Sequence, residues 1–134
     1  MLRRIFCLAF LLTLGCSPFV SCQAAEPEIA ESVSLIQLIA TPERYEGRLI
    51  QVVGFIRLQF EGNAIYLHRE DYESGLTENG LWLDTRSCKT RPRSSANFTK
   101  GYALVSARFT VTRRGHEDAY RGELYDVRRC EQMR

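Results

Sequence analysis

The sequence lacks the features that mark common catalytic and metal-binding sites. It has no CxxC pair, no serine in a nucleophile-elbow pattern, and only two histidines, His68 and His116. No apolar run reaches the roughly 20 residues that a membrane-spanning helix needs. Nine glycines and four prolines in 134 residues exclude a collagen-like or low-complexity chain. This length suits one modest domain.

The first 24 residues have the order of an export signal. Arg3 and Arg4 precede an apolar run at residues 5–14, and small and turn-forming residues follow to about Ala25. This order is typical of a secretory signal peptide. We therefore predict a signal peptide at residues 1–24, a short acidic linker at residues 25–32, and a folded domain at residues 33–134.

Two modes of processing fit this signal. Cleavage after Ala24 would place Cys22 and Ala24 at the two small-residue positions of an ordinary signal peptide. Alternatively, residues 12–16, LTLGC, resemble a bacterial lipobox, in which Cys16 would be acylated and begin the mature chain. Thr13 stands where the lipobox prefers leucine, so we favour ordinary cleavage. The two modes predict a periplasmic protein or an outer-membrane lipoprotein, respectively.

Cysteine usage agrees with export. Three of the five cysteines lie in the signal, which leaves Cys88 and Cys130 in the domain. A pair of cysteines in an exported domain predicts a disulfide bond. Closing a loop of about 42 residues would stabilise the fold by roughly 4 kcal/mol if no strain opposed it. The alternative is two buried thiols.

The domain begins with a helix and continues as strands. Ser34 can cap a short helix with an apolar stripe at Leu35, Leu38 and Ile39. Alternating apolar residues then predict five strands, at residues 49–60, 64–68, 81–84, 102–111 and 123–128. Gly54 interrupts the first strand and predicts a bend or bulge. A small closed barrel suits five strands because closure removes their edges; a fragment of a sandwich is the alternative.

The opening of the domain resembles exported bacterial OB-fold proteins of unknown role. Residues 34–60, SLIQLIATPERYEGRLIQVVGFIRLQF, contain a leading helix, a proline, a Tyr-x-Gly and a first strand with Val-x-Gly. The resemblance continues through residues 63–84, NAIYLHREDYESGLTENGLWLD, and covers roughly residues 33–130. It implies an all-β fold with a short N-terminal helix and a five-stranded OB-fold-like barrel. One departure is that residues 87–100 are too rich in serine and proline for the usual helix between the third and fourth strands.

The resemblance also implies where a ligand would bind. OB folds bind ligands on the outer face of strands two and three and on the neighbouring loops. If the aliphatic residues of these strands face the core, the alternate residues face outward. The loop between the fourth and fifth strands adds further candidates. The predicted ligand-binding residues are therefore Tyr66, His68, Trp82, Arg113, Arg114 and His116. In the alternative interpretation, the aromatic pair only covers the barrel beneath a loop.

The sequence predicts no cofactor, no metal ligand set and no catalytic residue. His68 and His116 lie near acidic residues, so a metal-dependent or catalytic envelope protein is the alternative function. Metal sites usually need three or four ligands with recognisable spacing, however, and that spacing is absent here.

The charges are unevenly distributed along the predicted mature chain. Residues 25–84 contain 4 basic and 11 acidic side chains, whereas residues 85–134 contain 12 basic and 5 acidic ones. Basic clusters can bind anions, but the two halves can also attract each other. The sequence thus favours a non-enzymatic exported binding module of the cell envelope. Its partner would be a protein or an anionic oligomer, and export disfavours nucleic acid.

Overall fold

In the part of the chain that the structure describes, six strands and two short helices make up most of the regular structure. The computed structural model describes residues 27–60, 62–87 and 99–133, so the predicted signal peptide, Cys16 and Cys88 lie outside the described residues. Within these ranges, no helix is long and apolar enough to cross a membrane. The elements are β1 (Glu31–Ser32), α1 (Leu35–Ala40), β2 (Leu49–Arg57), β3 (Ala64–Tyr66), α2 (Arg69–Glu73), β4 (Gly80–Leu83), β5 (Lys100–Thr110) and β6 (Glu123–Gln132).

Five of these strands close into a barrel. β2 pairs antiparallel with β3 on one side and with β5 on the other. β3 pairs antiparallel with β4, β4 pairs parallel with β6, and β6 returns antiparallel to β5. The order β2–β3–β4–β6–β5 therefore ends where it began. This confirms the predicted all-β, OB-fold-like barrel. β1 adds a two-residue parallel pairing beside the start of β2, inside the predicted linker.

The barrel interior is filled by alternate residues of the strands. In β3 and β4, Ile65, Leu81 and Leu83 are buried, as the alternation predicts. Leu67, which follows β3, is partly buried against the same core. The largest fully buried side chains are Phe55, Phe109, Leu35, Leu38, Ile50, Ile56, Ile65, Leu81, Leu83, Leu124, Val52 and Val105.

The helix α1 closes against the barrel as its apolar stripe predicts. The Ser34 hydroxyl accepts a hydrogen bond from the Gln37 backbone at 3.2 Å and caps the helix. Leu35 and Leu38 are buried in the core, whereas Ile36 is exposed. A short 3-10 helix, Pro42–Tyr45, then leads into β2.

Gly54 has a role that differs from the predicted bulge. The pairing of β2 with β5 runs without a register shift from residue 49 to residue 57. The shift in the barrel lies instead in β5, between Ser106 and Arg108. A Cβ at Gly54 would lie 2.6 Å from Leu35 Cδ1 and 2.7 Å from the Tyr66 carbonyl oxygen. Glycine is therefore needed here because α1 and β3 approach the strand closely.

The two oppositely charged halves of the chain are joined by ion pairs. Lys100 of β5 lies 3.8 Å from Glu73 of α2, and Arg86 pairs with Asp84 at 2.9 Å. Arg108 and Arg128 both pair with Glu28, and Arg121 pairs with Glu78. Much of the charge separation seen in the sequence is therefore neutralised within the fold.

Candidate functional site

A groove lies where β4 and β6 meet the loop that joins β5 to β6. Its volume is about 490 Å³, within the range of small-ligand sites. Trp82, Arg113, Arg114 and His116, four of the six predicted ligand-binding residues, line it together. We call it the Trp82 groove. The residues that line it are Trp82, Thr112, Arg113, Arg114, Gly115, His116, Asp118 and Glu123.

The loop packs directly on the Trp82 ring. A Cβ built on Gly115 would lie 2.5 Å from Trp82 Cδ2. Gly115 also has φ 70° and ψ −153°, a backbone conformation that is essentially restricted to glycine. Because the Gly115 backbone covers the indole ring at this point, Trp82 forms a wall of the groove and is not an open platform for stacking.

Tyr66 faces outward from the barrel but is not open to a ligand. It is only 5% exposed, because Tyr120 and Tyr72 pack against its ring at centroid distances of 6.2 and 5.7 Å. The hydroxyl oxygens of Tyr66 and Tyr120 are hydrogen bonded at 3.1 Å. Tyr120 also contacts Trp82, with ring centroids 5.6 Å apart. The outward-facing aromatics therefore cover the barrel beneath the loop.

Arg113 is held in place by two contacts. Its Nη2 atom lies 3.1 Å from Glu123 Oε1, and its guanidinium lies 4.5 Å from the centroid of the Tyr125 ring. Burial raises the pKa of Glu123, and the Arg113 charge opposes this rise. The positive charge of Arg113 thus offsets part of the cost of burying the Glu123 carboxylate, which lines the groove.

Arg114, the next residue in the loop, differs from Arg113 in the charged groups around it. Among the described residues, no carboxylate lies within ion-pair distance of its guanidinium. Its backbone carbonyl accepts a hydrogen bond from Tyr120 N at 3.2 Å, which ties the loop to the aromatic cluster. The side chain is exposed and lines the groove. His116, at the start of the 3-10 helix His116–Asp118, is also exposed.

Asp84 lies at the end of β4, near Glu123, and is bound by Arg86. Arg86 Nε donates to Asp84 Oδ1 at 2.9 Å, and Arg86 Nη2 donates to Oδ2 at 3.0 Å. The hydrogen bonds from Arg86 lower the pKa of Asp84. The two neighbouring carboxyl groups, Asp84 and Glu123, are therefore shifted in opposite directions.

His68 does not line the Trp82 groove. It precedes α2, is exposed, and its backbone N–H donates to Asp71 Oδ2 at 2.8 Å. His116 is one of the groove residues, whereas His68 is not. In the described ranges, no group of three or more His, Cys, Asp or Glu side chains could hold a metal ion.

Several residues that shape this region have no clear signal in the sequence. Tyr120 lies in a loop without periodicity, and α2 has only five residues, too few for a periodic pattern. Asp71 in α2 is nevertheless buried, and it accepts a hydrogen bond from Asn79 Nδ2 at 2.8 Å.

A second depression of about 330 Å³ shares Thr112 and Arg113 with the Trp82 groove. Its other lining residues are Glu46, Thr110 and Tyr125.

No protein-family model, curated protein or solved structure matches this chain.

Proposed function

We propose that this chain is a non-enzymatic, exported binding module of the bacterial cell envelope, and that its Trp82 groove holds an anionic group of the ligand. The ligand would be an anionic oligomer or an acidic segment of a protein. The observation that carries the proposal is the position of Arg114. It is exposed at the groove, and no described carboxylate neutralises it.

The chemistry of the groove supports binding of a single anionic group. An arginine guanidinium presents forked donors that match carboxylate and phosphate oxygens. Arg113, beside it, is already paired with Glu123 at 3.1 Å. Asp118 adds a second carboxylate to the lining. The groove therefore offers one available guanidinium, an imidazole at His116 and an aromatic wall at Trp82.

Binding is favoured over catalysis because the described lining of the groove contains no nucleophile with an adjacent base. The described lining residues include neither serine nor cysteine, and Thr112 is the one among them with an aliphatic hydroxyl. The oxygen of the Thr112 hydroxyl lies 2.9 Å from the Thr110 hydroxyl oxygen, and no described base activates it. Nucleophilic catalysis usually needs such a base within hydrogen-bond reach.

The chain offers a direct optical test. Trp82 is the single tryptophan in the sequence, so the indole fluorescence comes entirely from this residue of the groove lining. We expect the emission of the protein to change when heparin fragments or oligothymidylate are added at low salt. Arg114→Ala should weaken this binding by about ten- to a hundredfold, as expected for the loss of a contact to a charged group.

Arg44→Ala is the matched control. Arg44 is also an exposed arginine, lies over the ring of Tyr45 at 5.8 Å and is remote in the chain from the groove loop. This variant should bind like the wild type. The proposal fails if neither probe changes the Trp82 emission, or if Arg114→Ala and Arg44→Ala have equal effects.

A further inference from the structure

Three cationic side chains gather around two aromatic rings on another part of the outer face. The rings of Phe55 and Tyr72 have centroids 6.0 Å apart. The Arg69 guanidinium lies 5.7 Å from the Phe55 centroid, and the Arg57 guanidinium lies 5.9 Å from that of Tyr72. Lys100 Nζ lies 5.9 Å from Phe55 and 5.3 Å from Tyr72. We call Arg57, Arg69 and Lys100 the cation cluster.

The strand register places two of these charges directly opposite each other. Arg57 of β2 and Lys100 of β5 are partners in the antiparallel pairing. Like charges at directly opposite positions are destabilising. Contacts with the rings offset part of that cost, but they do not neutralise the charge. An anion bound beside Arg57 and Lys100 would therefore relieve the repulsion between their charges.

Within residues 27–60, 62–87 and 99–133, one carboxylate lies in ion-pair range of the cluster, that of Glu73, 3.8 Å from Lys100 Nζ. Arg57 Nε donates to the neutral Gln59 side chain at 3.1 Å. The Lys100 side chain is 44% exposed, and Arg69 is exposed as well. The cluster is thus accessible from solvent, and its three cations outnumber the described carboxylates that pair with them.

We propose that the cation cluster is a second binding site, and that it takes a phosphate or sulfate ester oxyanion. Two forked guanidinium groups and one ammonium group suit a tetrahedral anion with several acceptor oxygens better than a planar carboxylate. Phe55 is completely buried, so an apolar surface lies beneath the cationic groups. None of the three cations lines the Trp82 groove, and the site does not depend on the function proposed for that groove.

The test measures thermal unfolding in the presence of tripolyphosphate. An anion at concentration c that binds the folded state stabilises it by RT ln(1 + c/Kd), so the unfolding temperature rises with the logarithm of c once c exceeds Kd. We expect millimolar tripolyphosphate to raise the Tm of the mature chain above its value in sodium chloride at equal ionic strength. In the Arg57→Gln, Lys100→Gln double variant the apparent Kd should rise by about tenfold or more. Without tripolyphosphate, this variant should unfold at the wild-type temperature or above it, because the repulsion is gone.

Three control variants separate the cluster from other effects. Arg57→Lys with Lys100→Arg keeps both charges and should keep the response. Arg44→Gln, which removes another arginine over an aromatic ring, should also respond like the wild type. Arg114→Gln should retain the response as well, whereas it weakens binding in the Trp82 groove. Failure of one site can therefore be distinguished from failure of the other.

Two outcomes would overturn the proposal. One is a wild-type Tm that tripolyphosphate raises no more than chloride does. The other is a response that is as large in the double variant as in the wild type, or that disappears in Arg114→Gln.

An experiment with lipid vesicles identifies the source of the oxyanion. Sedimentation with phosphatidylglycerol vesicles that is lost in the double variant would indicate a lipid headgroup. A tripolyphosphate response without vesicle binding would indicate a soluble ester.

Discussion

The hydroxyl oxygens of Tyr66 and Tyr120 lie 3.1 Å apart in the buried cluster outside the barrel. This contact joins β3 to the loop that carries Arg113, Arg114 and His116. The loop is thus attached to the barrel wall three residues before β6 begins. The same loop contributes Arg113, Arg114 and His116 to the Trp82 groove.

Tyr120→Phe should lower the free energy of unfolding by about 1–2 kcal/mol, because it removes a buried hydrogen bond and leaves the Tyr66 hydroxyl without that partner. Urea denaturation measures the change. Tyr102→Phe is the control, since Tyr102 is 39% exposed and should cost much less. Equal losses in the two variants would contradict the structural role of the pair.

The same pair should make the protein sensitive to alkaline pH. Burial, followed by the hydrogen bond to Tyr120, raises the pKa of Tyr66 above its ordinary value near 10. The unfolded state therefore loses its proton first as pH rises, and the contribution of Tyr66 to stability falls from about pH 10 upward. Denaturation at pH 8, 10 and 11 should show a smaller decline for Tyr66→Phe than for the wild type. An identical decline would exclude Tyr66 as the cause.

Glu123 should affect stability at acidic to neutral pH. Burial raises its pKa in the folded state, so its favourable contribution is complete below the ordinary carboxyl range, about pH 4.3, and is lost as pH rises through the raised pKa. The stability of Glu123→Gln relative to wild type should therefore increase from pH 4 to pH 7. Asp84→Asn should show the opposite trend at lower pH, because Arg86 lowers the pKa of Asp84. The contribution of Asp84 is complete above its ordinary value of about pH 4 and is lost as pH falls below it. The stability of Asp84→Asn relative to wild type should therefore fall as pH rises toward about 4. Parallel trends would contradict the opposite shifts.

Gly115 should be far less tolerant of a side chain than Gly75. Both have positive φ, at 70° and 67°, but a Cβ at Gly75 would meet nothing within 4 Å, whereas one at Gly115 would meet the Trp82 ring. Gly75→Ala should cost about 1 kcal/mol from its backbone conformation alone. Gly115→Ala should cost about 2–4 kcal/mol. Its Cβ would be forced against the Trp82 ring, and its ψ lies in a region restricted to glycine, so two further costs add to that of the positive φ. Urea denaturation and a shifted Trp82 emission spectrum check the prediction; equal costs would oppose it.

Gly54→Ala should be among the most damaging single substitutions. Its Cβ would lie 2.6–2.7 Å from Leu35, Ile65 and the Tyr66 carbonyl oxygen, and that backbone atom cannot move without disturbing β3. We expect a loss of about 3 kcal/mol or more. Gly47→Ala is the control: a Cβ there would meet nothing within 4 Å, so this variant should lose only the roughly 1 kcal/mol that its positive φ of 70° costs an alanine. Thermal melts followed by circular dichroism compare the two variants, and similar melting temperatures would show that the core can relax around residue 54.

Much of the barrel could be predicted from the sequence because its signals are local. Alternation along the strands identifies which side chains of β3 and β4 face the core, and the serine cap with its apolar stripe identifies α1. The same alternation places Trp82 on the outer face, and the loop before β6 supplies Arg113, Arg114 and His116. Four of the predicted ligand-binding residues consequently line one groove.

Other features could not be predicted because they depend on contacts between residues distant in the chain. Alternation along β3 predicts that the Tyr66 side chain faces outward. It does not predict that Tyr120, 54 positions away in the chain, packs over it. The helix α2 is too short for a periodic signal, and it forms with Asp71 buried and bonded to Asn79. Whether Arg113 or Arg114 remains available also depends on the fold, because Glu123 approaches one of them and not the other.

The sequence by itself thus determined the barrel, its interior and a short set of candidate residues, since these follow from periodicity, capping and turn residues. Only the tertiary structure decided which candidates lie together. It separated His68 from His116, covered Tyr66 with Tyr120, and left Arg114 exposed at the Trp82 groove. It also placed Arg57 opposite Lys100 over Phe55 and Tyr72. The physical reason is that burial and charge neutralisation arise from packing across strands, which no local pattern in the chain encodes.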